Sequence, residues 1–176
     1  MAIGAVLMVM IYAGGHISGG HYNPAVTIAA LVRGRIGVVD AIGYWIAQLI
    51  GGLLAMSLAR WVIDPAQVKT LTLSGHLLSA AFIAELLFTF ALCYVVLNVA
   101  TSKDHPNNGL AIGFTVATGA IAVGAISGGV FNPAVAISGA AIGLFAWPTL
   151  WAYLVAQIIG GTAAGLAFLA LNPDDK

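Results

Sequence analysis

Charge is what this sequence has least of: only 7% of its 176 residues are Asp, Glu, Lys or Arg, against about 25% in a typical soluble domain. The net charge is zero and there is no basic run, which argues against a nucleic-acid-binding protein. A single cysteine, Cys93, provides neither a disulfide pair nor a cysteine metal cluster. No cluster of nucleophile, base and acid is present, so we expect no enzyme activity, no bound metal and no cofactor.

Apolar residues are abundant, at 61% of the chain, and the mean hydropathy is +1.02. A soluble fold of this size could not bury that much apolar surface, so most of the chain is expected to face lipid or other membrane helices. A helix needs about 20 apolar residues to cross roughly 30 Å of hydrocarbon. Five segments meet this requirement: 1–17, 41–63, 77–100, 109–127 and 148–171.

Two shorter apolar stretches, 24–33 and 133–142, cannot span the membrane. Each follows a small-residue turn, and its first two residues are the proline and alanine of an Asn-Pro-Ala triplet. Short apolar helices that follow irregular backbone indicate re-entrant half-helices. Such backbone is tolerated at membrane depth only where it packs in protein or lines water. The sequence therefore predicts an all-α membrane protein with five spans and two half-helices.

The chain contains an internal repeat with an offset of 109 residues. Of the 62 positions from 2 to 63, 22 are identical to the residue 109 positions later. The identities cluster on turn and packing residues, including two Ser-Gly-Gly triplets, two Asn-Pro-Ala-Val runs and two Gly-Gly pairs. We therefore divide one channel domain, 1–176, into a partial first repeat, 1–66, and a second repeat, 77–172.

The repeats are expected to be inverted, because each full unit would contain an odd number of spans. The second unit begins with span 77–100, and the first has no counterpart of it within the chain. The counterpart of Glu85 would fall at position 85 − 109 = −24, upstream of Met1. We therefore expect an apolar helix with a glutamate to be encoded upstream. Without that helix, we expect the 176-residue form to express poorly or not to conduct.

The paired Asn-Pro-Ala triplets, Asn23-Pro24-Ala25 and Asn132-Pro133-Ala134, predict the chemistry of the pore. Asparagine is a strong N-cap, and proline suits the first helical turn because it has no N–H to lose. Inverted repeats bring the two half-helices together at their N-termini, each with about half a positive charge. These ends repel cations and protons, and the asparagine amides can donate hydrogen bonds to passing water. We expect carbonyls of the irregular segments 16–22 and 125–131 to line the rest of the pore.

The stretch from His16 to Thr27, HISGGHYNPAVT, resembles the first signature of the aquaporin (major intrinsic protein) family. Ala84-Glu85 and the aromatic-rich run after it resemble the fourth helix of that family, whose members normally have six spans. The resemblance covers residues 1–171. It implies a homotetramer with one pore per protomer, which conducts water or small neutral solutes such as ammonia, urea and glycerol, and excludes protons and ions.

The resemblance also implies a selectivity filter, carried over by distance from each Asn-Pro-Ala triplet. Its four positions are Ile3, Ala120, Gly129 and Val135. Val135 stands where the water-selective pattern has arginine, and Ala136 stands where glycerol facilitators have aspartate. With valine at this position, the filter resembles that of some plant vacuolar members of the family that also pass ammonia or urea. The implied filter is apolar and wide.

Other polar or small residues are expected to line the pore or brace its loops. Glu85, a carboxyl within a span, needs a partner, and we interpret it as a buried brace rather than a proton relay. His21 is interpreted as a pore-lining or a loop-bracing residue, with neither role favoured. The remaining candidates occupy the glycine turns and the matched repeat positions of the spans: Gly20, Gly128, Gln48 and Gln157.

Orientation follows from the distribution of lysine and arginine. If the spans alternate in direction, Arg60 and Lys69 lie on one side of the membrane, and a larger set of lysines and arginines lies on the other. The larger set, which indicates the cytoplasmic side, comprises Arg33, Arg35, Lys103 and Lys176. We therefore expect a multi-pass protein of the cell (inner) membrane with a cytoplasmic C-terminus. A non-conducting structural member or inactive fragment of the same fold is the alternative function.

Overall fold

A computed structural model describes residues 1–63, 68–102 and 105–175, and these ranges are built from α-helices without named strands. The α-helices are α1 Ala2–Ser18, α2 Pro24–Val32, α3 Val38–Val62, α4 Gly75–Val96, α5 Asn108–Ser127, α6 Pro133–Ala141 and α7 Leu150–Leu171. A π-helical turn, Leu97–Ser102, continues α4, and a 3-10 turn, Trp147–Thr149, precedes α7. The predicted all-α membrane architecture is confirmed.

Four of these helices, α3, α4, α5 and α7, are long and apolar enough to cross a membrane. The fifth predicted span is α1, an apolar helix of 17 residues and thus roughly 25 Å in length. The two half-helices, α2 and α6, have nine residues each and begin at the predicted prolines. The boundary of the first repeat at residue 66 lies outside the described residues, as do Lys103 and Lys176.

The two repeats interlock through their half-helices. The half-helix α2 of the first repeat packs on α7 of the second, and α6 of the second packs on α3 of the first. The helix α1 packs along α5, which joins the repeats again. In the second repeat, α4 fills the space beside α5 and α7. Each Asn-Pro-Ala triplet is therefore held in place by helices of both repeats.

The helices α2 and α7 can cross closely because Gly161 has no side chain. A Cβ atom at this position would lie 2.6 Å from the carbonyl oxygen of Ala25, which is the last residue of the first Asn-Pro-Ala triplet. Ala25 itself is fully buried. Glycine at position 161 thus permits the half-helix to approach the span at backbone distance.

We expect Gly161→Leu to destabilise the protein by roughly 1–3 kcal/mol or more, because overpacking here must displace backbone rather than a flexible side chain. Thermal unfolding in detergent measures the effect. Gly124→Leu is the matched control, since a Cβ at Gly124 meets no atom within 4 Å. Equal melting temperatures for the two variants would contradict this account of the crossing.

The loops that precede the half-helices are shorter than predicted. The helix α1 continues to Ser18 and α5 to Ser127, so only 19–23 and 128–132 are irregular. The expectation that 16–22 and 125–131 are irregular is therefore wrong for 16–18 and 125–127. Residues 16–18 and 125–127 form the last turns of α1 and α5, where the final carbonyls have no partner within the helix. The carbonyls of Ser18 and Ser127 accept hydrogen bonds from tyrosine side chains instead.

Arg33, at the C-terminal end of α2, is only 5% exposed. Its guanidinium lies 3.9 Å from the centre of the Phe168 ring, and its Nη2 atom is 2.9 Å from the carboxylate of Asp175. Arg33, which ends the predicted half-helix stretch 24–33, thus contributes its charge to a contact that fixes the C-terminal tail against α2 and α7.

Candidate functional site

The two asparagines of the Asn-Pro-Ala triplets cap their half-helices in the same way. The side-chain oxygen of Asn23 accepts a hydrogen bond from the Ala25 amide at 2.9 Å, and that of Asn132 accepts one from Ala134 at 3.0 Å. The residue before each asparagine has a left-handed backbone, with φ of 45° at Tyr22 and 51° at Phe131. Because bulky residues rarely adopt this conformation, both turns are strained in the same way.

Each asparagine also bonds to the other repeat. The Asn23 amide donates to the Phe131 carbonyl at 2.7 Å, and the Asn132 amide donates to the Tyr22 carbonyl at 2.9 Å. A side-chain amide has two hydrogens. One hydrogen of each asparagine is therefore used between the repeats, and the other remains available to a permeant.

A cavity of ≈ 490 Å³ brings the predicted pore residues together. Both asparagines and all four predicted filter positions line it: Asn23, Asn132, Ile3, Ala120, Gly129 and Val135. The predicted residues Gly20, His21 and Gly128 line the same cavity. The prolines and alanines of the triplets are buried behind the asparagines instead.

Two of the filter positions touch each other. Gly129 has a left-handed backbone, with φ of 63°, and a Cβ there would lie 2.9 Å from the Cα of Ala120. Any larger residue at position 129 would therefore displace α5 as well as narrow the cavity. The filter positions offer methyl groups and backbone, and none of the four offers a charge.

Glu85 lies on α4, away from the cavity, and holds the second loop. Its carboxylate accepts hydrogen bonds from the Ser127 hydroxyl at 2.7 Å, the Val130 amide at 2.9 Å and the Phe131 amide at 2.7 Å. The side-chain amide of Gln157 donates a fourth bond at 2.8 Å. Glu85 is only 1% exposed, and its hydrogen bonds hold the loop that carries Gly129.

The first loop is held by different bonds, although its residues match. The Gln48 amide donates to the Thr27 hydroxyl at 3.0 Å rather than to a carboxylate. The Nδ1 atom of His21 lies 3.1 Å from the same hydroxyl, and its ring lies 4.8 Å from that of Tyr44. His21 therefore both lines the cavity and is fixed by side chains behind it.

Thr27 and the two tyrosines that bind the loops are functional residues that the sequence patterns did not predict. Tyr153 donates to the Ser127 carbonyl at 2.7 Å, and Tyr44 donates to the matching Ser18 carbonyl. The identity of Tyr44 and Tyr153 in the repeat was the signal that could have revealed this role. Thr27 has no such signal, because the second repeat has Ala136 in its place.

The half-helix ends give the centre of the cavity a positive electrostatic character. Two helix N-termini with about half a positive charge each meet at the cavity, beside two amide donors. The cavity therefore offers hydrogen-bond donors and a positive potential at this point. No group of three or more potential metal ligands occurs among the described residues.

Comparison with known proteins agrees with this geometry. Residues 1–168 match the family described as Major intrinsic protein. Aquaporin TIP1-1 of Arabidopsis thaliana is 39% identical over 169 residues, which cover 92% of this chain and 66% of the relative. The Glycerol uptake facilitator protein-like 6 of Lactiplantibacillus plantarum is 40% identical over 189 residues, which cover 99% of this chain and 85% of the relative.

The chain is shorter than its plant relatives. Probable aquaporin TIP3-2 of Arabidopsis thaliana is 40% identical over 158 residues, which cover 87% of this chain but 59% of the relative. The chain thus spans about two thirds or less of the length of these plant proteins.

Proposed function

The chain belongs to the major intrinsic protein family of multi-pass membrane channels for water or small solutes, and on that premise we propose that it passes water and small neutral solutes down their gradients. Ammonia, urea and glycerol are the solutes in this proposal, and protons and ions are excluded. The observation that carries it is the single cavity lined by both asparagines and the four filter positions.

Ion exclusion rests on the meeting of the two half-helices. Asn23 and Asn132 cap helix ends that carry partial positive charge, and each keeps one amide hydrogen for the permeant. A water molecule that accepts from both donors has its lone pairs occupied. It therefore cannot accept a proton from the next water in the chain, while a cation meets the field of both helix ends.

Passage of solutes larger than water rests on the filter. Ile3, Ala120, Gly129 and Val135 line the cavity without a charged group. An arginine in place of Val135 would narrow the opening and bind water or carbonyl groups, and the valine does neither. One relative is named an aquaporin and another a glycerol uptake facilitator, which is compatible with passage of both water and larger solutes.

We place residues 1–176 in one channel domain with repeats 1–66 and 77–172. The protein is proposed to form a homotetramer in the cell (inner) membrane, with its C-terminus in the cytoplasm, and to act without a cofactor or enzymatic reaction.

A non-conducting structural member of the same fold is the second candidate function. One observation favours it: Asn132 and Val135 line the cavity and also a groove that opens beside α3. Unless that groove is covered, the cavity wall is open on this side and the pore is not sealed from lipid.

Stopped-flow flux in proteoliposomes tests the proposal. Under the channel proposal, and against the expectation from the repeat that the 176-residue form does not conduct, water, urea and ammonia fluxes exceed those of empty liposomes. In Val135→Arg we expect urea and ammonia flux to fall on the order of tenfold and water flux to fall less, because the added side chain narrows the filter and adds a charge.

Val135→Met is the matched control, because it adds length without charge and should reduce the solute fluxes less than arginine does. No flux of any kind from the parent would favour the non-conducting alternative. Equal losses of water, urea and ammonia in Val135→Arg would place the selective constriction at another residue.

A further inference from the structure

Two six-membered aromatic rings, those of Tyr22 and Phe145, line the described part of the cavity wall. Tyr22 belongs to the turn before the first half-helix, and its hydroxyl donates a hydrogen bond to the Met10 carbonyl at 3.2 Å. Phe145 follows the second half-helix and lies against Gly128, the residue before the filter position Gly129. Phe145 therefore brings a large apolar ring next to positions that are otherwise small.

The Phe145 ring is held between two glycines. A Cβ atom at Gly139 on α6 would lie 2.6 Å from the Cε2 atom of the ring, and one at Gly128 would lie 3.0 Å from the Cε1 atom. The two sides of the ring therefore rest against the backbone of the half-helix and of the loop. The Tyr153 ring packs on it at a centroid distance of 5.2 Å. Because its neighbours are this close, the ring has little room to change its rotamer.

The backbone on both sides of Phe145 is bonded to Leu71, in the segment that joins the two repeats. The Leu71 amide donates to the Leu144 carbonyl at 2.8 Å, and the Leu71 carbonyl accepts from the Ala146 amide at 3.3 Å. Two preceding carbonyls are bonded by side chains: Ile142 by Arg60 at 3.0 Å and Gly143 by Thr70 at 2.7 Å. A side chain on a segment held in this way can select permeants by size, because it cannot easily move aside.

At the matching place in the first repeat, the described residues hold no such ring. Ile36 is the counterpart of Phe145, and it does not line the cavity. Ala30 is the counterpart of Gly139, and it carries the kind of Cβ atom that would collide with a ring in this position. The large side chain is therefore specific to the part of the cavity that the second repeat builds, where two of the filter positions also lie.

We propose that Phe145 is a specificity-determining residue of the pore, whose ring narrows the passage beside Gly129 and sets the largest neutral solute that enters from this end. This inference rests on the channel function proposed above. Without the ring, the wall would recede to the backbone of Gly128 and Gly139, since neither has a side chain. A phenyl ring offers permeants no conventional hydrogen bond, so it discriminates by size.

Access of thiol reagents to a cysteine introduced at position 120 tests this role without any flux. Ala120→Cys, in a Cys93→Ala background, places a thiol at a filter position inside the cavity. The protein in nanodiscs is treated with two uncharged, polar methanethiosulfonates, one with a hydroxyethyl group and one with a glucosyl group. We expect Phe145→Ala to raise the ratio of the large reagent's rate to the small reagent's rate about tenfold, because the opening widens.

Two further variants separate the size of the ring from general damage to the fold. Phe145→Leu keeps an apolar side chain between the glycines and should raise the rate ratio less than alanine does. Phe114→Ala removes a ring of the same size from α5, where Phe114 is 54% exposed and does not line the cavity. This control should leave the rate ratio unchanged. In proteoliposomes, the ratio of glycerol flux to water flux should rise in the same order, from the parent through the leucine to the alanine variant.

An unchanged rate ratio in folded Phe145→Ala would overturn the proposal, and if that variant does not fold, Phe145→Leu decides in its place. An equal rise in Phe114→Ala would also overturn it, as would a thiol at position 120 that reacts with neither reagent while Phe145 is present. If the rate ratio responds to Phe145 but no variant conducts, the role of the ring is supported and the channel function is the proposal that fails.

Discussion

Replacing Glu85 with alanine is expected to lower the melting temperature of the protein on the order of 10 °C and to abolish selective flux. The carboxylate is the common acceptor of Ser127, Val130, Phe131 and Gln157. Each buried donor left without an acceptor costs about 1–3 kcal/mol. The loop that bears Gly129 would then have to rearrange, and the filter would lose its shape.

A control variant lies one turn away on the same helix. Thr89 is fully buried, and its hydroxyl has no hydrogen-bond partner among the described residues. Thr89→Val keeps the shape and removes an unsatisfied polar group, so it should be neutral or slightly stabilising. Thermal unfolding in detergent compares the two variants. If Glu85→Ala has the same melting temperature as Thr89→Val and keeps the parent's ratio of urea flux to water flux, Glu85 does not brace the loop.

Replacing Asn132 with aspartate is expected to admit sodium ions through the pore. The substitution places a negative charge at the N-terminus of α6, where the helix end otherwise repels cations. Coulomb's law with an effective dielectric constant of about 20 gives roughly 3 kcal/mol for a cation about 6 Å away, on the order of a hundredfold in occupancy. Sodium and proton leak are measured beside water flux in the same liposomes.

Asn132→Ala separates charge from hydrogen bonding. It removes the amide that donates to the Tyr22 carbonyl, as aspartate does, but adds no charge. We expect it to fold less stably than the parent and to leak much less sodium than the aspartate variant. The proposed role of the helix-end field is wrong if a folded aspartate variant excludes sodium as well as the parent does.

Much of the fold could be predicted because the repeat fixes where elements begin. The prolines at 24 and 133 mark the first turns of α2 and α6, and asparagine before each is the observed cap. Helix ends were harder to predict. Gly19 and Gly128 have left-handed backbones that end α1 and α5. A glycine in the sequence, however, does not show whether the helix before it ends at that residue or several residues earlier.

The network behind the site could be predicted only where both repeats use the same residue in the same way. Gln48 and Gln157 were expected to play matching roles, yet one bonds Thr27 and the other Glu85. The difference depends on whether a carboxylate lies beside the glutamine, which is a tertiary fact that no local pattern contains. The burial of Arg33 could not be predicted either, since its contacts with Phe168 and Asp175 join distant parts of the chain.

The exchange of hydrogen bonds between the two asparagines has a consequence for biosynthesis. Asn23 bonds the carbonyl of Phe131, 108 residues later in the chain, and Asn132 bonds that of Tyr22, 110 residues earlier. When the first half-helix leaves the ribosome, its partner has not yet been translated. The first strained turn must therefore wait in the translocon or the bilayer until the second half-helix has been made, because its inter-repeat hydrogen bonds cannot form earlier.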